Sequence, residues 1–432
     1  MDRVYTNQIK PGKTLVKGWV QQVRDLGGLK FFILRDREGS VQITAKKDTV
    51  PEDVFNTIPS LNREDCISVM GIAKESKQAP GGIEIIPERI DIISGSEPLP
   101  IEIGEKIETN LDKRLDWRCL DLRNPKNLAI FKIQSKIAEG FEEYLRKNGY
   151  IQVFTPCIMG AASESGADVF PVVYYNKEAF LRQDPQLHRQ LVIAAGFDKI
   201  YDLGPSWRAE PSHTTRHLSE HRGCAVELAF IEDERDTMRV EENLVVSALK
   251  RVKSDCKDEL DLLGKKIKIP ETPFPELRFP KIYDILERLG KKTEFGEDID
   301  RESERMLWEY VKKKYNSDFF FINRFPFKAK PFYVMRVDED PQWARSVDLI
   351  MKDSELSSGG QREHRYEKII QQVKEKGMSL ESVEWFTKFF KYGVPPHGGF
   401  NIGIERLTQQ ILDIKNIREA VLFPRTPERF LP

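Results

Sequence analysis

The chain has 432 residues, enough for two or three domains, and its formal net charge at pH 7 is −1. Hydrophobic residues make up 40% and charged residues 32%, a composition that excludes a disordered or membrane-embedded protein. The near-neutral total is mild evidence against a nucleic-acid binder, although 68 Lys and Arg residues can still be concentrated on one face.

The cysteine content indicates a reducing compartment. The five cysteines include no C-x-x-C pair, which argues against a disulfide framework and against a zinc site. The first residues contain no apolar core typical of a signal peptide, and no run of 18 apolar residues occurs. We therefore expect a cytoplasmic protein that does not contact membranes.

Residues 13–93 show the pattern of a small β-barrel. Short strands are predicted at 14–20, 29–34, 41–44, 66–71 and 83–86, with one helix at 51–58. About five strands and a short helix are typical of an oligonucleotide-binding (OB) barrel. Phe31 and Phe32 are adjacent, so one faces the core and the other faces outward, where an aromatic ring could stack on an unpaired base.

The next segments read as a linker and a long helix. Prolines and mixed charges predict a hinge at 101–125, between a barrel domain at 1–100 and a larger domain at 126–432. Apolar residues at helical spacing predict a helix over 127–148 that ends before Gly149. A strand is expected at 149–156.

The stretch 203–230 predicts a β-hairpin with a basic loop. Trp207 and Arg208 end the first strand, a polar loop rich in His, Thr and Arg follows, and 225–230 alternates like a strand. Such a hairpin could hold a polyanion against a sheet, because Arg binds phosphate and carboxylate groups in a fork. An ordinary solvated loop is the alternative.

The remaining pattern favours an α+β fold with an antiparallel sheet. Helices are predicted near 240–253, 301–314 and 366–376, and buried strands at 319–322 and 331–335. There is no regular strand–helix alternation and no phosphate-binding glycine loop of the Walker or G-x-G-x-x-G type. Near the end of the chain, the glycine-spaced run 398–407 enters a helix that carries Arg406.

The hairpin and the glycine-spaced run together resemble motifs 2 and 3 of class II aminoacyl-tRNA synthetases, with Trp207 where that family usually has Phe. The strings SSGGQREH at 357–364 and LFPR at 422–425 narrow the resemblance to archaeal-type aspartyl-tRNA synthetases of subclass IIb, from Trp19 to Pro432. The resemblance implies an OB-type anticodon-binding barrel, a catalytic domain with an antiparallel sheet flanked by helices, and a homodimer whose interface includes 149–156 (motif 1) with Pro156.

The resemblance also implies the reaction and the nucleotide site. The implied activity is ATP-dependent formation of aspartyl-adenylate and transfer of aspartate to the 3′ end of tRNA(Asp), with Mg²⁺ as cofactor. Arg208, on the α-phosphate, and Arg406, over the adenine, are the implied catalytic residues, and Asp348 and Glu355 the metal ligands. The implied ATP-binding residues are Arg208, Glu210, Arg216, His217, Leu218, His221, Glu355 and Arg406. The alternatives to these roles are an ion pair between Arg208 and Glu210 with no ligand, and a surface acid without a metal at Asp348.

The amino-acid pocket departs from the family pattern. Its implied residues are Glu164, Asp184, Gln186, Arg189, Ser358 and Arg362. Arg362 is implied to grip the side-chain carboxylate of aspartate. The family has Ser where this chain has Asp184, Lys in place of Arg189, and an aromatic residue in place of His221. In place of Ala225 the family has an acid that binds the substrate ammonium. Asp184 is a new acid in the same wall, and we expect it to compensate for the lost one.

Two further sets of residues concern tRNA. The resemblance places Phe31 and Gln42 at anticodon positions, although a core role for Phe31 is the alternative. The resemblance places Gln21 where strict forms have Trp and relaxed forms have His, and Pro80 matches the relaxed forms, which favours a relaxed enzyme that also charges tRNA(Asn). Ordinary barrel-loop residues at both positions are the alternative. Two other functions stay open: a paralogue with an altered amino acid or acceptor, suggested by Ala225, Arg189 and Asp184, and a non-catalytic RNA-binding homologue.

Overall fold

The computed structural model describes residues 1–104, 109–160, 169–209 and 214–432. The chain forms two compact units, Met1–Leu128 and Ala129–Pro432. In the described part of the chain, no helix is long and apolar enough to cross a membrane.

The first unit is built on a closed five-stranded barrel, as predicted. Its strands are β1 (Gly12–Asp25), β2 (Leu29–Arg35), β3 (Ser40–Lys46), β4 (Cys66–Glu75) and β5 (Ile83–Ser94), and its helices are α1 (Glu52–Thr57), α2 (Leu111–Asp116) and α3 (Arg118–Asp121). The strand order is β1-β2-β3-β5-β4, and only the β3–β5 pair is parallel. Helices α2 and α3 lie in the segment predicted as a hinge, and its hinge role stays a prediction.

Alternation along β2 decides which phenylalanine fills the barrel. Phe32 is fully buried with Val16, Leu34 and Ile43, whereas Phe31 is half-buried on the outer face. The expected division of the two rings is therefore confirmed, and the stacking surface is left to Phe31.

The second unit contains the remaining elements. Its helices are α4 (Pro125–Lys147), α5 (Gln186–Ala194), α6 (Glu234–Asp255), α7 (Lys257–Leu263), α8 (Lys281–Arg288), α9 (Arg301–Tyr315), α10 (Tyr366–Glu375), α11 (Leu380–Thr387) and α12 (Ile404–Leu412). Its strands are β6 (Ile151–Gln152), β7 (Ile158–Met159), β8 (Pro171–Tyr174), β9 (Lys177–Leu181), β10 (Lys199–Trp207), β11 (Glu220–Ala229), β12 (Glu276–Arg278), β13 (Phe319–Asn323), β14 (Ser346–Met351), β15 (Ser354–Arg362) and β16 (His397–Gly403).

An eight-stranded sheet in the order β12-β13-β14-β15-β16-β11-β10-β6 organises this unit. The central pairs are antiparallel, as predicted, while the two outermost pairs, β12–β13 and β10–β6, are parallel. One face packs apolar residues of β11 and β16 against α4 and α6, for example Val226 and Ile402 against Phe141 and Val245. The opposite face is thereby left for polar side chains.

The strand predicted at 331–335 is wrong. These residues are mostly buried, but they run through a turn and make only an isolated bridge between Val334 and Arg362. The Gln372 side-chain amide donates to the carbonyl oxygens of Phe332 and Val334, at 2.5 and 3.0 Å. A side chain from α10 therefore satisfies backbone groups that a neighbouring strand would otherwise bind.

We expect Phe32→Ala to destabilise the barrel by about 3–5 kcal/mol, because it removes a fully buried ring and leaves a cavity. Phe31→Ala is the matched control, with an expected loss below ~1.5 kcal/mol because much of that ring is already exposed. Thermal unfolding of the full chain followed by circular dichroism measures both. Equal destabilisation by the two changes would contradict the assignment of the two faces.

Candidate active site

The predicted hairpin is confirmed and forms one wall of the site. β10 and β11 pair antiparallel, with Trp207 opposite Glu220, and Arg208 follows directly after β10. The Arg208 backbone N–H donates to the Ser219 carbonyl oxygen at 3.0 Å, which continues the pairing beyond the strand. Side chains of β11 alternate, so Cys224 enters the core while its neighbours in the strand face the other side.

A cavity of about 300 Å³ opens on that polar face of the sheet. Arg208 and Arg406, predicted from distant parts of the sequence, both line it. The other predicted residues that line it are Asp184, Gln186, Arg216, His217, Leu218, His221, Glu355, Ser358 and Arg362. Arg189 and Asp348 are buried behind this lining. Glu164 and Glu210 lie outside the described residues.

One end of the cavity is basic. Arg406, in the first turn of α12, donates from Nη1 to the Glu355 carbonyl oxygen at 2.9 Å. Arg216 donates to the Asp353 carbonyl oxygen at 2.7 Å and also pairs with its carboxylate. Burial, together with the charges of Arg208 and Arg406, lowers the pKa of His221 to about 4. The His221 ring is therefore neutral at pH 7 and can stack on a ligand without adding charge.

Asp348 and Glu355 form a carboxylate pair on neighbouring strands. Lys330 Nζ lies 3.2 Å from Asp348 Oδ2, whereas the buried Oδ1 has no hydrogen-bond partner among the described residues. Burial raises the pKa of Asp348 to about 6, Lys330 opposes the rise and Glu355 adds to it. The described residues contain no group of three or more His, Cys, Asp or Glu suited to hold a metal ion. An open carboxylate oxygen fits a cation that takes its other ligands from phosphate.

At the other end of the cavity, acidic and basic side chains alternate in a buried hydrogen-bond network. Arg362 donates from Nε to Glu227 Oε1 at 3.0 Å and from Nη2 to the Gly399 carbonyl oxygen at 3.0 Å. The Gln186 amide donates to Glu227 Oε2 at 2.9 Å, and its Oε1 accepts from Arg189 Nη2 at 2.6 Å. No hydrogen bond joins Arg362 Nη1 to any residue in the described ranges, so this nitrogen is left for a ligand.

Asp184 is the last member of this hydrogen-bond network. Its two oxygens accept from Arg189 Nη1 and Nη2 at 2.7 and 2.8 Å. Burial by itself would raise the pKa of Asp184, but the charge and hydrogen bonds of Arg189, together with the charges of Arg362 and Arg208, outweigh burial and lower the pKa. The new acid is therefore ionised and engaged by the new Arg. Two acids, the partly buried Asp184 and the fully buried Glu227, face the two guanidinium groups of Arg189 and Arg362.

Sequence reasoning missed Glu227 and the glycine that accommodates it. The available signal was an acid between apolar Val226 and Leu228 in a strand, which is unusual in a buried position unless the acid is paired. A Cβ at Gly399 would lie 2.0 Å from the Val226 carbonyl oxygen and 2.5 Å from Glu227 Oε2. Only glycine fits beside this ion pair, and this explains one member of the glycine-spaced run.

The predicted tRNA residues all lie on the surface of the barrel. Phe31 and Gln42 share its outer face, where Gln42 Nε2 donates to Thr44 Oγ1 at 3.0 Å and Thr44 is the register partner of Phe31. Gln21 is exposed at an irregularity in the pairing of β1 with β2. Pro80 is exposed in the turn between β4 and β5.

Comparison with known proteins matches both units. Residues 110–427 match the family described as tRNA synthetases class II (D, K and N), and residues 14–93 match the OB-fold nucleic acid binding domain. The chain therefore belongs to the class II tRNA synthetases of that group, and it is an enzyme of the ligase class.

Particular relatives cover the whole chain. It is 46% identical over 428 residues to the aspartate–tRNA(Asp) ligase of Pyrococcus furiosus, covering 99% of this chain and 98% of that one. It is 42% identical over 426 residues to the aspartate–tRNA(Asp/Asn) ligase of Aeropyrum pernix, covering 98% and 96%. The crystal structure of asparaginyl-tRNA synthetase from Pyrococcus horikoshii complexed with asparaginyl-adenylate superposes with a TM-score of 0.94 at 35% identity, covering 100% of both chains.

We expect Asp184→Ala to destabilise the protein by about 3–5 kcal/mol, because it leaves the buried Arg189 guanidinium without its anion. Glu220→Ala is the matched control, because it breaks an ion pair with Arg222, whose side chain is 48% exposed, and should cost less than ~1 kcal/mol. Denaturant unfolding of each variant measures the difference. A loss as small as that of the control would show that Arg189 does not depend on Asp184.

Proposed function

We propose that the protein is an aspartate–tRNA ligase that forms aspartyl-adenylate from aspartate and ATP and transfers aspartate to the 3′ end of tRNA(Asp). One observation carries the proposal. A single cavity is lined by Arg362, whose guanidinium suits a carboxylate, by Arg208, whose guanidinium suits a phosphate, and by Arg406, whose planar guanidinium suits an adenine ring. The names of the relatives that match the full chain agree with this activity.

The arrangement supports an in-line reaction that depends on positioning and charge. Arg362 Nη1 binds the side-chain carboxylate of aspartate. An oxygen of the α-carboxylate attacks the α-phosphorus of ATP, the bond from that phosphorus to the bridging oxygen breaks, and pyrophosphate leaves. Arg208 binds the α-phosphate, Arg216 and His217 bind the outer phosphates, and Arg406 stacks on the adenine opposite His221. In the second step a terminal ribose hydroxyl of tRNA attacks the acyl carbon and AMP leaves.

Asp348 and Glu355 would hold Mg²⁺ together with phosphate oxygens of ATP. When bound, the ion would neutralise phosphate charge as pyrophosphate forms. Lys330, which pairs with Asp348 Oδ2, leaves Oδ1 open for this purpose.

Charge balance favours aspartate over the altered-substrate alternative. The acid absent at Ala225 is replaced by an acid at Asp184, so two anions still face the two buried cations. Among the described residues, Arg362 Nη1 has no hydrogen-bond partner, and a cationic donor matches a carboxylate better than a carboxamide. The departures at 184, 189 and 225 therefore rearrange the wall of the pocket without changing its net charge.

Surface features support tRNA binding and a homodimer. Phe31 and Gln42 present a ring and an amide on one face of the barrel, as reading of unpaired bases requires. Ile151, Phe154 and Ile158 are about half exposed or more in and beside the predicted motif 1, and an apolar patch of this kind is typical of a subunit interface. Free cysteines agree with a cytoplasmic location.

We expect pyrophosphate exchange in the presence of aspartate, and much weaker exchange with asparagine. Arg362→Lys keeps the charge but loses the planar fork, so kcat/KM for aspartate should fall at least ~100-fold, while KM for ATP stays within about threefold. Exchange with another amino acid would support the paralogue, and exchange with none would support a non-catalytic homologue.

We expect the protein to charge tRNA(Asn) as well as tRNA(Asp). Gln21→Trp should reduce charging of tRNA(Asn) at least ~10-fold relative to tRNA(Asp), because a large ring at this exposed bulge narrows the surface for the anticodon. Aminoacylation of both purified tRNAs measures the ratio. An unchanged ratio, or no charging of tRNA(Asn) by the unaltered protein, would contradict the prediction that the enzyme accepts both tRNAs.

Phe31→Ala should raise KM for both tRNAs about 5- to 100-fold through loss of base stacking, with pyrophosphate exchange unchanged. The unchanged exchange rate is the internal control, because the adenylate forms without tRNA in this scheme. Equal KM values before and after the change would show that Phe31 does not contribute to tRNA binding.

A further inference from the structure

Asn401 lies in the middle of the cavity floor. It is in β16, directly opposite Ala225 of β11 and Ser358 of β15, and register partners present their side chains on the same face of a sheet. Its strand neighbours Phe400 and Ile402 enter the apolar core, so Asn401 faces the cavity, which it lines.

The amide of Asn401 has no hydrogen-bond partner among the residues that the structure describes. Its Oδ1 atom is buried without a hydrogen bond, and no hydrogen bond joins the side-chain amide to any residue that the structure describes. Buried polar atoms are nearly always satisfied, so the unpaired Oδ1 shows that contacts among the described residues do not account for this amide. Because Oδ1 is the enclosed end, the amide nitrogen is the end that a ligand in the cavity can reach.

Gly223 provides the space for this amide. A Cβ at residue 223 would lie 2.1 Å from Asn401 Oδ1, a distance that no real contact allows. Any other residue at 223 would displace the side chain of Asn401. The two positions therefore form one unit, although they are far apart in the sequence.

The position along β16 indicates which part of a substrate meets this amide. Two residues before Asn401, the Gly399 carbonyl oxygen accepts from Arg362 Nη2. Two residues after it, a Cβ at Gly403 would lie 3.6 Å from Arg406 Cβ. Each neighbour is about 7 Å away along a strand. Asn401 thus lies between the group for the side-chain carboxylate and the group for the nucleotide, where the α-carboxylate and the α-phosphorus must meet.

On the basis of the proposed function, we propose that Asn401 contacts the substrate at the reacting centre. Its Nδ2–H donates a hydrogen bond to an oxygen of the aspartate α-carboxylate as that group becomes the acyl phosphate. The donor is neutral and rigidly placed on a strand, so it orients the attacking group without adding charge beside Arg208. Such donors stabilise the charge that develops in acyl and phosphoryl transfer.

Asn401→Ala tests this role in the full-length protein. We expect kcat for aspartate-dependent pyrophosphate exchange to fall about 100- to 1,000-fold. The KM for ATP should change less than about threefold, because the groups that bind the nucleotide remain in place. A sulfamoyl analogue of aspartyl-adenylate, which retains oxygens at the reacting centre, should bind at least ~10-fold more weakly by calorimetry.

Gly223→Ala provides a second and independent variant. Its new methyl group should displace the Asn401 amide and reproduce most of the loss in kcat. In the Gly223→Ala/Asn401→Ala double variant the clash is gone, so the double variant should be no worse than Asn401→Ala alone. Additive losses would overturn the coupling of the two positions.

The remaining outcomes separate the two proposals. No aspartate exchange by the unaltered protein would overturn the proposed function and the role of Asn401 together. Normal exchange and normal analogue binding by Asn401→Ala would overturn the role of Asn401 alone. If Asn401→Ala raised the KM for aspartate but left inhibition by L-malate, which lacks the ammonium group, unchanged, the amide would be assigned to the ammonium group, and this result would also overturn the proposed role.

Discussion

The constraint on which the site depends is the burial of two guanidinium groups, those of Arg189 and Arg362. A buried cation is tolerated only when anions and hydrogen-bond acceptors surround it. Glu227 and Asp184 supply the anions, and Gln186 bridges them, so five side chains from α5, its preceding loop, β11 and β15 must adopt one arrangement. The position of Arg362 Nη1, the proposed donor to the substrate carboxylate, is a consequence of that packing.

The antiparallel sheet turns this local constraint into a site with two ends. Strand alternation gives β11 and β16 an apolar face against α4 and α6, and a second face that carries polar or very small residues. Gly223 and Gly399 keep the second face low enough for Asn401 and Glu227 to lie on it. The basic groups enter from the ends of elements, Arg208 after β10 and Arg406 at the start of α12, where side chains can reach across the cavity.

The departures from the family pattern become intelligible when their neighbours are known. Arg189 and Asp184 form one ion pair, and Ala225 leaves a small residue opposite Asn401. Asp184 and Arg189 therefore face each other in the same pocket, and the charges of the two ion pairs still balance. This is the behaviour expected of coupled positions in a packed site that retains its chemistry.

The sequence by itself determined the elements and the family, because strand alternation, helical spacing and glycine placement are local properties of the chain. It predicted the barrel and the hairpin of β10 and β11, and through the family resemblance it placed Phe31 outward and named eleven of the residues that line the cavity. It did not reveal the parallel outer pairs of the sheet, and it placed a strand at 331–335 where a glutamine from α10 binds the backbone instead. Only the tertiary structure showed which residue pairs with Asp184, why Glu227 is buried and why residue 223 is glycine. Those answers depend on contacts between residues far apart in the chain, and such contacts exist only after the sheet has assembled.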